Sequence, residues 1–254
     1  VELQATWQDN IADFNYFITA NWSMEDSKIL FMDEQNQPYD YLRQTGRAGN
    51  AMFGYICDGF FSSDEEIANS PVIKGYSNIR PGDLKYRDLN KDGVIDDFDR
   101  CVIGGDKPTS YFGLEYGFNW KGLEFSMLWQ GVYNREFILS DWNLLEGFQQ
   151  YGQHYTQAYD IVLNRWTPET AQTALLPRLS AGGNSYNHYA STFWLKDGDF
   201  IRMRNVEVGY TLPESFCNNH LGGLRPKVFV SAQNMLTFAG CDWVDPEVRF
   251  TSYP

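Results

Sequence analysis

The sequence is poor in basic residues and in long apolar runs, and each shortage excludes a class of protein. Its 20 Lys and Arg are outnumbered by 33 Asp and Glu, giving a formal net charge of −13. This balance argues against a nucleic-acid partner, because phosphate binding needs clustered positive charge. No apolar run of about 18 residues occurs, so no transmembrane helix is expected. A transmembrane β-strand remains compatible with the sequence, because its signal is only an alternation over about ten residues.

The sequence also lacks the signatures of a catalytic centre. Cysteine is scarce: Cys57, Cys101, Cys217 and Cys241 show no CxxC spacing, and their three conceivable pairings stay open. The three histidines lie far apart in the chain, in no metal-binding spacing. There is no GxSxG elbow, P-loop or GxGxxG motif. We therefore predict no catalytic residues and no enzymatic activity.

Aromatic residues are abundant, at 17% of the chain, and many of them alternate with polar residues. In one such stretch Phe112, Leu114, Tyr116, Phe118 and Trp120 share a face, and small or polar residues lie between them. This period of two predicts strands with one apolar and one wet face. The predicted strands are 1–8, 13–24, 111–120, 123–133, 194–211 and 226–238.

The links between these strands differ greatly in length. The links at 9–12, 121–122 and 212–225 are short or moderate, whereas 25–110 and 134–193 are long. As an antiparallel meander, this order puts every short link at one end and every long link at the other. Such asymmetry is typical of an outer-membrane barrel with long extracellular loops. A soluble β-sandwich also fits the alternation, so the pattern alone leaves both open.

One short segment carries a metal-binding pattern. Residues 88–99 read DLNKDGVIDDFD, in which Asp88, Asn90 and Asp92 provide oxygens at positions 1, 3 and 5. The glycine at position 6 allows the sharp turn of a calcium loop. The predicted Ca²⁺ ligands are completed by the carbonyl of Val94, by Asp96 and by Asp99, which stands where a glutamate is usual. The alternative is an acidic turn without an ion.

Two weaker signals lie in the long links. Ser62 to Ile67 has serines followed by acids, which predicts a short capped helix. Trp142, Phe148, Tyr151 and Tyr155 could form a sugar-stacking platform, with packing inside the loop as the alternative. The sequence does not identify substrate-binding residues.

Several stretches, in order from Gly54 to Glu247, resemble one known family. The most specific is WLKDGDFIRMRNVEVGYTLP at 194–213. The others are GY and DGFF between 54 and 61, PGDLKY and RCVIG around the acidic loop, NRWTPE at 164–169, SAQNMLTF at 231–238 and DPE at 245–247. Together they resemble the SusC/RagA family of TonB-dependent outer-membrane transporters.

The resemblance implies an all-β fold, part of a large antiparallel transmembrane barrel. In this family the barrel has 22 strands and closes around a plug domain. It further implies import of oligosaccharides or peptides, energy delivered by TonB, and a SusD-like surface lipoprotein as partner. The chain has no plug, TonB box or final aromatic-ended strand. Residues 1–254 are therefore expected to be a C-terminal barrel segment that needs the rest of the barrel and outer-membrane lipid.

A rival hypothesis explains the same composition by a different fold. A secreted, calcium-stabilised, carbohydrate-binding β-sandwich would also explain the acidity, the exposed aromatics and the calcium-type loop. The two hypotheses differ in whether the long strands form one sheet or two facing sheets.

Overall fold

A computed structural model of the chain describes residues 1–139, 160–180 and 184–247. These residues divide into two compact units. The sheet unit comprises Val1–Asp26, Pro108–Arg135 and Asp197–Asp242. The loop unit comprises the described residues of 27–107, 136–196 and 243–254.

Strands dominate the described residues, and helices are short. The strands are β1 Glu2–Ile11, β2 Phe14–Glu25, β3 Met52–Tyr55, β4 Cys57–Phe60, β5 Leu84–Tyr86, β6 Arg100–Gly104, β7 Thr109–Trp120, β8 Leu123–Tyr133, β9 Glu136–Ile138, β10 Leu195–Asp197, β11 Phe200–Thr211 and β12 Lys227–Ala239. The α-helices are α1 Asp64–Ala68 and α2 Glu214–His220, and single 3-10 turns occur at Asp40–Leu42, Asp97–Asp99, Asp160–Asn164 and Ser185–His188. No helix in the described part of the chain has the length and apolarity to cross a membrane.

The six long strands form one antiparallel sheet in the order β1-β2-β7-β8-β11-β12. Each long strand therefore neighbours the next long strand in the chain, as a meander requires. The expectation of a mainly antiparallel β fold is confirmed. Among the described residues the long strands do not split into two sheets, which argues against the β-sandwich hypothesis.

The two tightest turns use backbone conformations with positive φ. Lys121 and Gly122 have φ of 49° and 87°, a geometry that matches the twist of the strands they join. The first turn differs from the prediction, which ended β1 near residue 8. The ladder continues to the pair Ile11 and Phe14, so only Ala12 and Asp13 form the turn. One more apolar pair next to the turn extends the hairpin.

The predicted strand 194–211 is wrong as one continuous element. Leu195–Asp197 is a separate short strand that pairs with β9, and β11 begins at Phe200. Within β11 the register shifts between Met203 and Asn205. Because of this bulge, Met203 before it and Val206 after it can both remain on the apolar face.

Glycine on the polar face gives neighbouring side chains room to lie across the sheet. A Cβ on Gly117 would lie 2.8 Å from the Phe17 ring, and one on Gly113 would lie 2.8 Å from the Asn21 amide. Phe17 is an aromatic residue among mostly polar neighbours, and the space above Gly117 accommodates its ring. Glycines at these positions therefore leave room for the Asn21 amide and the Phe17 ring to lie against the sheet.

The loop unit has its own buried core, so the segments 25–110 and 134–193 are not simple loops. The core contains Tyr55, Phe61, Leu84, Tyr86, Ile95, Tyr186 and Trp194, among others. Trp194 is fully buried, and its indole Nε1 donates to the carbonyl of Asn187 at 2.6 Å. The hydroxyl of Tyr86 donates to the carbonyl of Tyr186 at 2.8 Å. Burial also raises the pKa of Tyr55 to about 12, so its hydroxyl stays protonated at neutral pH.

The short capped helix is confirmed, and Ser63 is its cap. Ser63 precedes α1, and its hydroxyl accepts from the backbone N–H of Glu66 at 3.1 Å. The Glu66 carboxylate in turn accepts from Ser62 at 2.8 Å and from the Lys85 ammonium at 2.6 Å. The Lys85 and Ser62 hydrogen bonds lower the pKa of Glu66 to about 2. The helix is thereby fastened to β5.

A buried carboxylate joins distant parts of the loop unit. Asp83 is fully buried and accepts from the backbone N–H of Arg80 at 2.8 Å. It also accepts from the side-chain amides of Asn184 and Asn187 at 2.8 and 2.9 Å. Arg178 Nη2 donates to it at 3.0 Å, and Arg178 Nε lies 2.8 Å away without hydrogen-bond alignment. A buried charge with this many donors is fully compensated.

Removal of Asp83 should therefore open the loop unit. We expect Asp83→Ala to cost about 3–5 kcal/mol, because it leaves the Arg178 guanidinium without its buried partner. Limited proteolysis of the native receptor measures this cost, since cleavage follows the population of the opened state. The control is Asp58→Ala, which removes a solvent-exposed partner of Arg87 and should cost at most about 1 kcal/mol. Equal cleavage rates for the two variants would contradict the role of Asp83.

The faces of the sheet give a second prediction. Tyr116 lies mid-strand in β7 on the apolar face, between Ile18 and Met127 of the neighbouring strands. If this face meets lipid near the bilayer midplane, Tyr116→Arg should cost about 2–4 kcal/mol. Denaturant unfolding of the intact receptor in lipid measures the loss. The control Thr19→Arg places the same charge on the polar face opposite Glu115, where no comparable loss is expected.

Candidate functional site

The predicted calcium loop is folded around its own carboxylates. Asp88 accepts from the backbone N–H of Lys91 at 2.6 Å and from that of Gly93 at 2.8 Å. Lys91 and Gly93 both have positive φ, of 63° and 89°, which gives the chain its sharp turn. Asp92 accepts from the N–H of Val94 at 2.9 Å and from the Asn90 amide at 3.0 Å. The sequence pattern therefore corresponds to a compact turn in the structure.

The far end of this loop is fixed by two further carboxylates. Asp99 is fully buried and accepts from the backbone N–H groups of Leu89 and Asp96, at 2.7 and 2.9 Å. Asp96 caps the following 3-10 turn by accepting from Phe98 N–H at 2.9 Å. Ile95 is fully buried in the core of the loop unit and anchors the middle of the loop.

The fit to Ca²⁺ is partial. All six predicted ligands, Asp88, Asn90, Asp92, Val94, Asp96 and Asp99, lie in one loop, and their oxygens are the type that Ca²⁺ prefers. Among the described residues, however, no three His, Cys, Asp or Glu side chains converge as a metal site. The acidic side chains instead accept backbone N–H groups, so binding would require their oxygens to turn inward. The calcium site stays a prediction.

The polar face of the sheet holds a charged cluster that the alternation pattern did not reveal. The Lys227 ammonium lies 2.7 Å from Glu124 and 3.1 Å from Glu207. These residues come from β12, β8 and β11, three neighbouring strands of the sheet. Their proximity follows from strand register, since Lys227 pairs with Thr211 and Glu207 with Ser126. Only the pairing of the strands could have predicted the cluster.

A concave area covers the turn end of the same polar face. Its lining is mainly polar, with Gln8, Asn10, Asn15, Asn119, Ser126 and Glu207 among the polar residues, and it also includes four aromatic residues, Tyr16, Phe17, Phe118 and Phe125. Such a surface binds polar groups and offers no nucleophile paired with a base. It has the character of a wet lining and not of a catalytic cleft.

The sequence also raised the questions of an aromatic platform and of cysteine pairing. The aromatic platform of Trp142, Phe148, Tyr151 and Tyr155 lies outside the described residues. All four cysteines are free thiols, with Cys217 and Cys241 buried and Cys57 and Cys101 half-buried. The sequence left open whether these cysteines pair, and in this structure none of them forms a disulfide.

Comparison with known proteins finds that the chain is similar to parts of large receptors. No family model matches it. It is 27% identical over 252 residues to TonB-dependent receptor P3 of Formosa agariphila, covering 94% of the chain and 24% of that protein. It is 30% identical over 167 residues to TonB-dependent receptor P26 of the same species, covering 65% of the chain and 16% of that protein. It is 21% identical over 242 residues to TonB-dependent receptor SusC of Bacteroides thetaiotaomicron, covering 93% and 22%.

Solved structures show the same fold. The chain matches the RagAB peptide transporter with a TM-score of 0.64 at 19% identity, over 97% of the chain and 26% of the solved chain. It matches the "open-open" state of the RagAB peptide importer with a TM-score of 0.58 at 20% identity, over 97% and 25%. The chain thus spans about a quarter or less of the length of the proteins it matches.

A two-faced antiparallel meander with these relatives indicates the class: the chain resembles part of a TonB-dependent receptor. Within that class the matches to SusC and RagAB support a partial chain of a SusC/RagA-like receptor, the family that the ordered motifs resemble. Receptors of this kind are outer-membrane proteins of Gram-negative bacteria, and the predicted localisation is confirmed. The relatives are receptors and transporters, which points to a function other than catalysis.

The acidic loop generates a prediction that distinguishes an ion site from a simple turn. If Ca²⁺ binds, chelation should speed tryptic cleavage at Lys91, because without the ion the clustered carboxylates repel one another. Asp92→Ala should abolish this difference while leaving the sheet unchanged. Elemental analysis of the purified receptor, together with timed proteolysis with and without chelator, measures both effects.

Asp97→Ala is the matched control for this experiment. Asp97 lies in the same segment, is not a predicted ligand and has a side chain that is 90% exposed. Its removal should leave both calcium content and the effect of chelator as they were. Identical cleavage of the unaltered receptor with and without chelator would favour the ion-free turn.

Proposed function

We propose that the receptor containing this chain imports oligosaccharides or peptides across the outer membrane. In this proposal the chain provides six strands of the barrel wall and two long extracellular segments. TonB would supply energy through a plug domain outside the chain, and a SusD-like lipoprotein would cover the extracellular mouth. The chain itself performs no chemistry on the nutrient.

The observation that carries the proposal is the difference between the two faces of one continuous sheet. On the apolar face, Phe112, Leu114 and Tyr116 are spaced two residues apart along β7, as lipid contact requires. On the opposite face, amides, hydroxyls and the Lys227 cluster form a wet lining suited to a lumen. A barrel wall with lipid on one side and water on the other explains both the apolar face and the polar face of the sheet.

The edges of the sheet support its membership of a larger barrel. β1 pairs only with β2, and β12 pairs only with β11, so one side of each edge strand has no partner in the described sheet. Unpaired backbone groups are too costly in lipid for an open sheet to span a membrane. Further strands would therefore continue the ladder at both edges, in keeping with the 22-stranded closure expected from the family.

The lengths of the links support an extracellular role for the long segments. The turns at 12–13 and 121–122 lie at one end of the sheet, and both long segments leave from the other end. Short periplasmic turns and long extracellular loops are the usual arrangement of outer-membrane barrels. Ca²⁺ bound at residues 88–99 would then be a structural cofactor, drawn from the medium outside the cell.

Deletion of the whole receptor gene tests the function. The deletion strain should grow normally on monosaccharides and free amino acids, yet fail on the oligosaccharide or the peptide that the receptor imports. Expression of the intact receptor should restore growth, and a receptor with an inactivated TonB box should not. Unchanged growth on every oligosaccharide and peptide tested, with the receptor in the soluble fraction, would contradict the proposal.

A further inference from the structure

Three aromatic rings form an exposed patch in the loop unit beside the acidic loop. Tyr39 and Tyr41 stack almost in parallel, with centroids 5.2 Å apart and planes 5° from parallel. Phe98 meets Tyr39 edge-on, at a centroid distance of 6.4 Å. Tyr39 and Phe98 are 37% and 45% exposed, although burial of such large rings in a core would be favourable. Grouped exposed rings of this kind mark binding surfaces.

The position of the patch is fixed by the acidic loop. The Tyr41 hydroxyl donates to the carbonyl of Phe98 at 2.8 Å, and Phe98 lies in the 3-10 turn that closes the loop. Partial burial, the neighbouring Tyr39 and the carboxylate of Asp99 raise the pKa of Tyr41, so its hydroxyl remains a donor at neutral pH. The rings are therefore held in place before any ligand arrives, which lowers the entropic cost of binding.

The charged groups around the rings indicate what kind of ligand fits. Asp40 and Asp97 have side chains that are 89% and 90% exposed. Each carboxylate is compensated by an arginine three residues later, Arg43 at 3.3 Å and Arg100 at 3.8 Å. The rim is consequently close to neutral, and it offers both hydrogen-bond donors and acceptors. At these two pairs a cationic peptide would find no unpaired carboxylate, whereas a ligand rich in hydroxyl groups would find hydrogen-bond partners in both pairs.

We propose that Tyr39, Tyr41 and Phe98, rimmed by the Asp40–Arg43 and Asp97–Arg100 pairs, form a binding platform for a neutral oligosaccharide. The C–H face of a pyranose ring packs on the exposed aromatic face, where the ring quadrupole is negative. Its hydroxyl groups donate to the carboxylates and accept from the guanidinium groups. This assignment rests on the proposed import function and narrows its substrate class to carbohydrate.

Binding measurements on the full-length receptor in detergent test the platform. Calorimetric titration with maltohexaose, cellohexaose, xylohexaose and mannohexaose, each alone, should show binding of at least one. For that sugar, Tyr39→Ala should weaken affinity about tenfold or more, as truncation of an aromatic anchor does. Tyr39→Phe keeps the ring and should retain the affinity of the unaltered receptor.

The matched control is Phe31→Ala. Phe31 is an aromatic residue of the same unit and is 85% exposed. Its loss should leave the sugar affinity unchanged, which separates a specific platform from a general effect of removing surface aromatics. A lysine-containing pentapeptide serves as the competing probe and should show no binding that depends on Tyr39.

Three results would overturn the platform: none of the four hexasaccharides binds, Tyr39→Ala binds them undiminished, or only the pentapeptide depends on Tyr39. Growth assays separate these failures from failure of the proposed function. If Tyr39→Ala binds sugar undiminished while deletion of the receptor still abolishes growth on an oligosaccharide, only the platform is wrong. If deletion changes growth on no nutrient, the import function itself is wrong.

Discussion

The antiparallel hydrogen-bond ladder is the constraint from which the rest of the sheet follows. Side chains alternate between faces along a strand, so the register of one pair decides which residues of the neighbouring strands share a face. Once Phe14 pairs with Trp120 and Phe118 with Phe125, the aromatic face is fixed across three strands. The same register brings Lys227 to Glu124 and Glu207 on the opposite face. A slip of one residue would exchange the two faces, and the proposed membrane wall could not tolerate this.

The loop unit is held together by a different kind of interaction. Its strands have only three to five residues, too few to organise a segment of this length by ladder alone. Buried polar groups take over this role: Asp83 gathers amides from residues 184 and 187, and Asp99 fastens the start of the acidic loop to its end. Each carboxylate satisfies backbone or amide donors that would otherwise be buried without partners. Side-chain hydrogen bonds thus hold the loop unit together, whereas backbone hydrogen bonds hold the sheet together.

This difference explains what sequence reasoning could find. Alternation is a local signal, and it placed the long strands and the turn at Lys121 and Gly122 near their observed positions. It could not show that β11 starts after Gly198, since Trp194 and Leu195 continue the apolar pattern while belonging to the loop unit. The core of that unit was missed because its contacts join residues about a hundred positions apart, such as Tyr86 with Tyr186. No local pattern predicts such a pair.

The two candidate sites also differ in how much the sequence could show of them. The acidic loop was visible because ligand spacing is local, but the sequence could not show that its carboxylates accept backbone N–H groups. The aromatic patch was invisible because Tyr39 and Phe98 are distant in the chain and meet only through the fold of the loop unit. These two features share one element, the 3-10 turn at Asp97–Asp99, whose backbone closes the acidic loop and whose Phe98 completes the patch. Since each carboxylate oxygen has two lone pairs, accepting one N–H does not prevent it from also binding an ion. Once the carboxylate oxygens had turned inward, a bound ion would stiffen this turn, and the same stiffening would extend to Phe98 and the rings beside it.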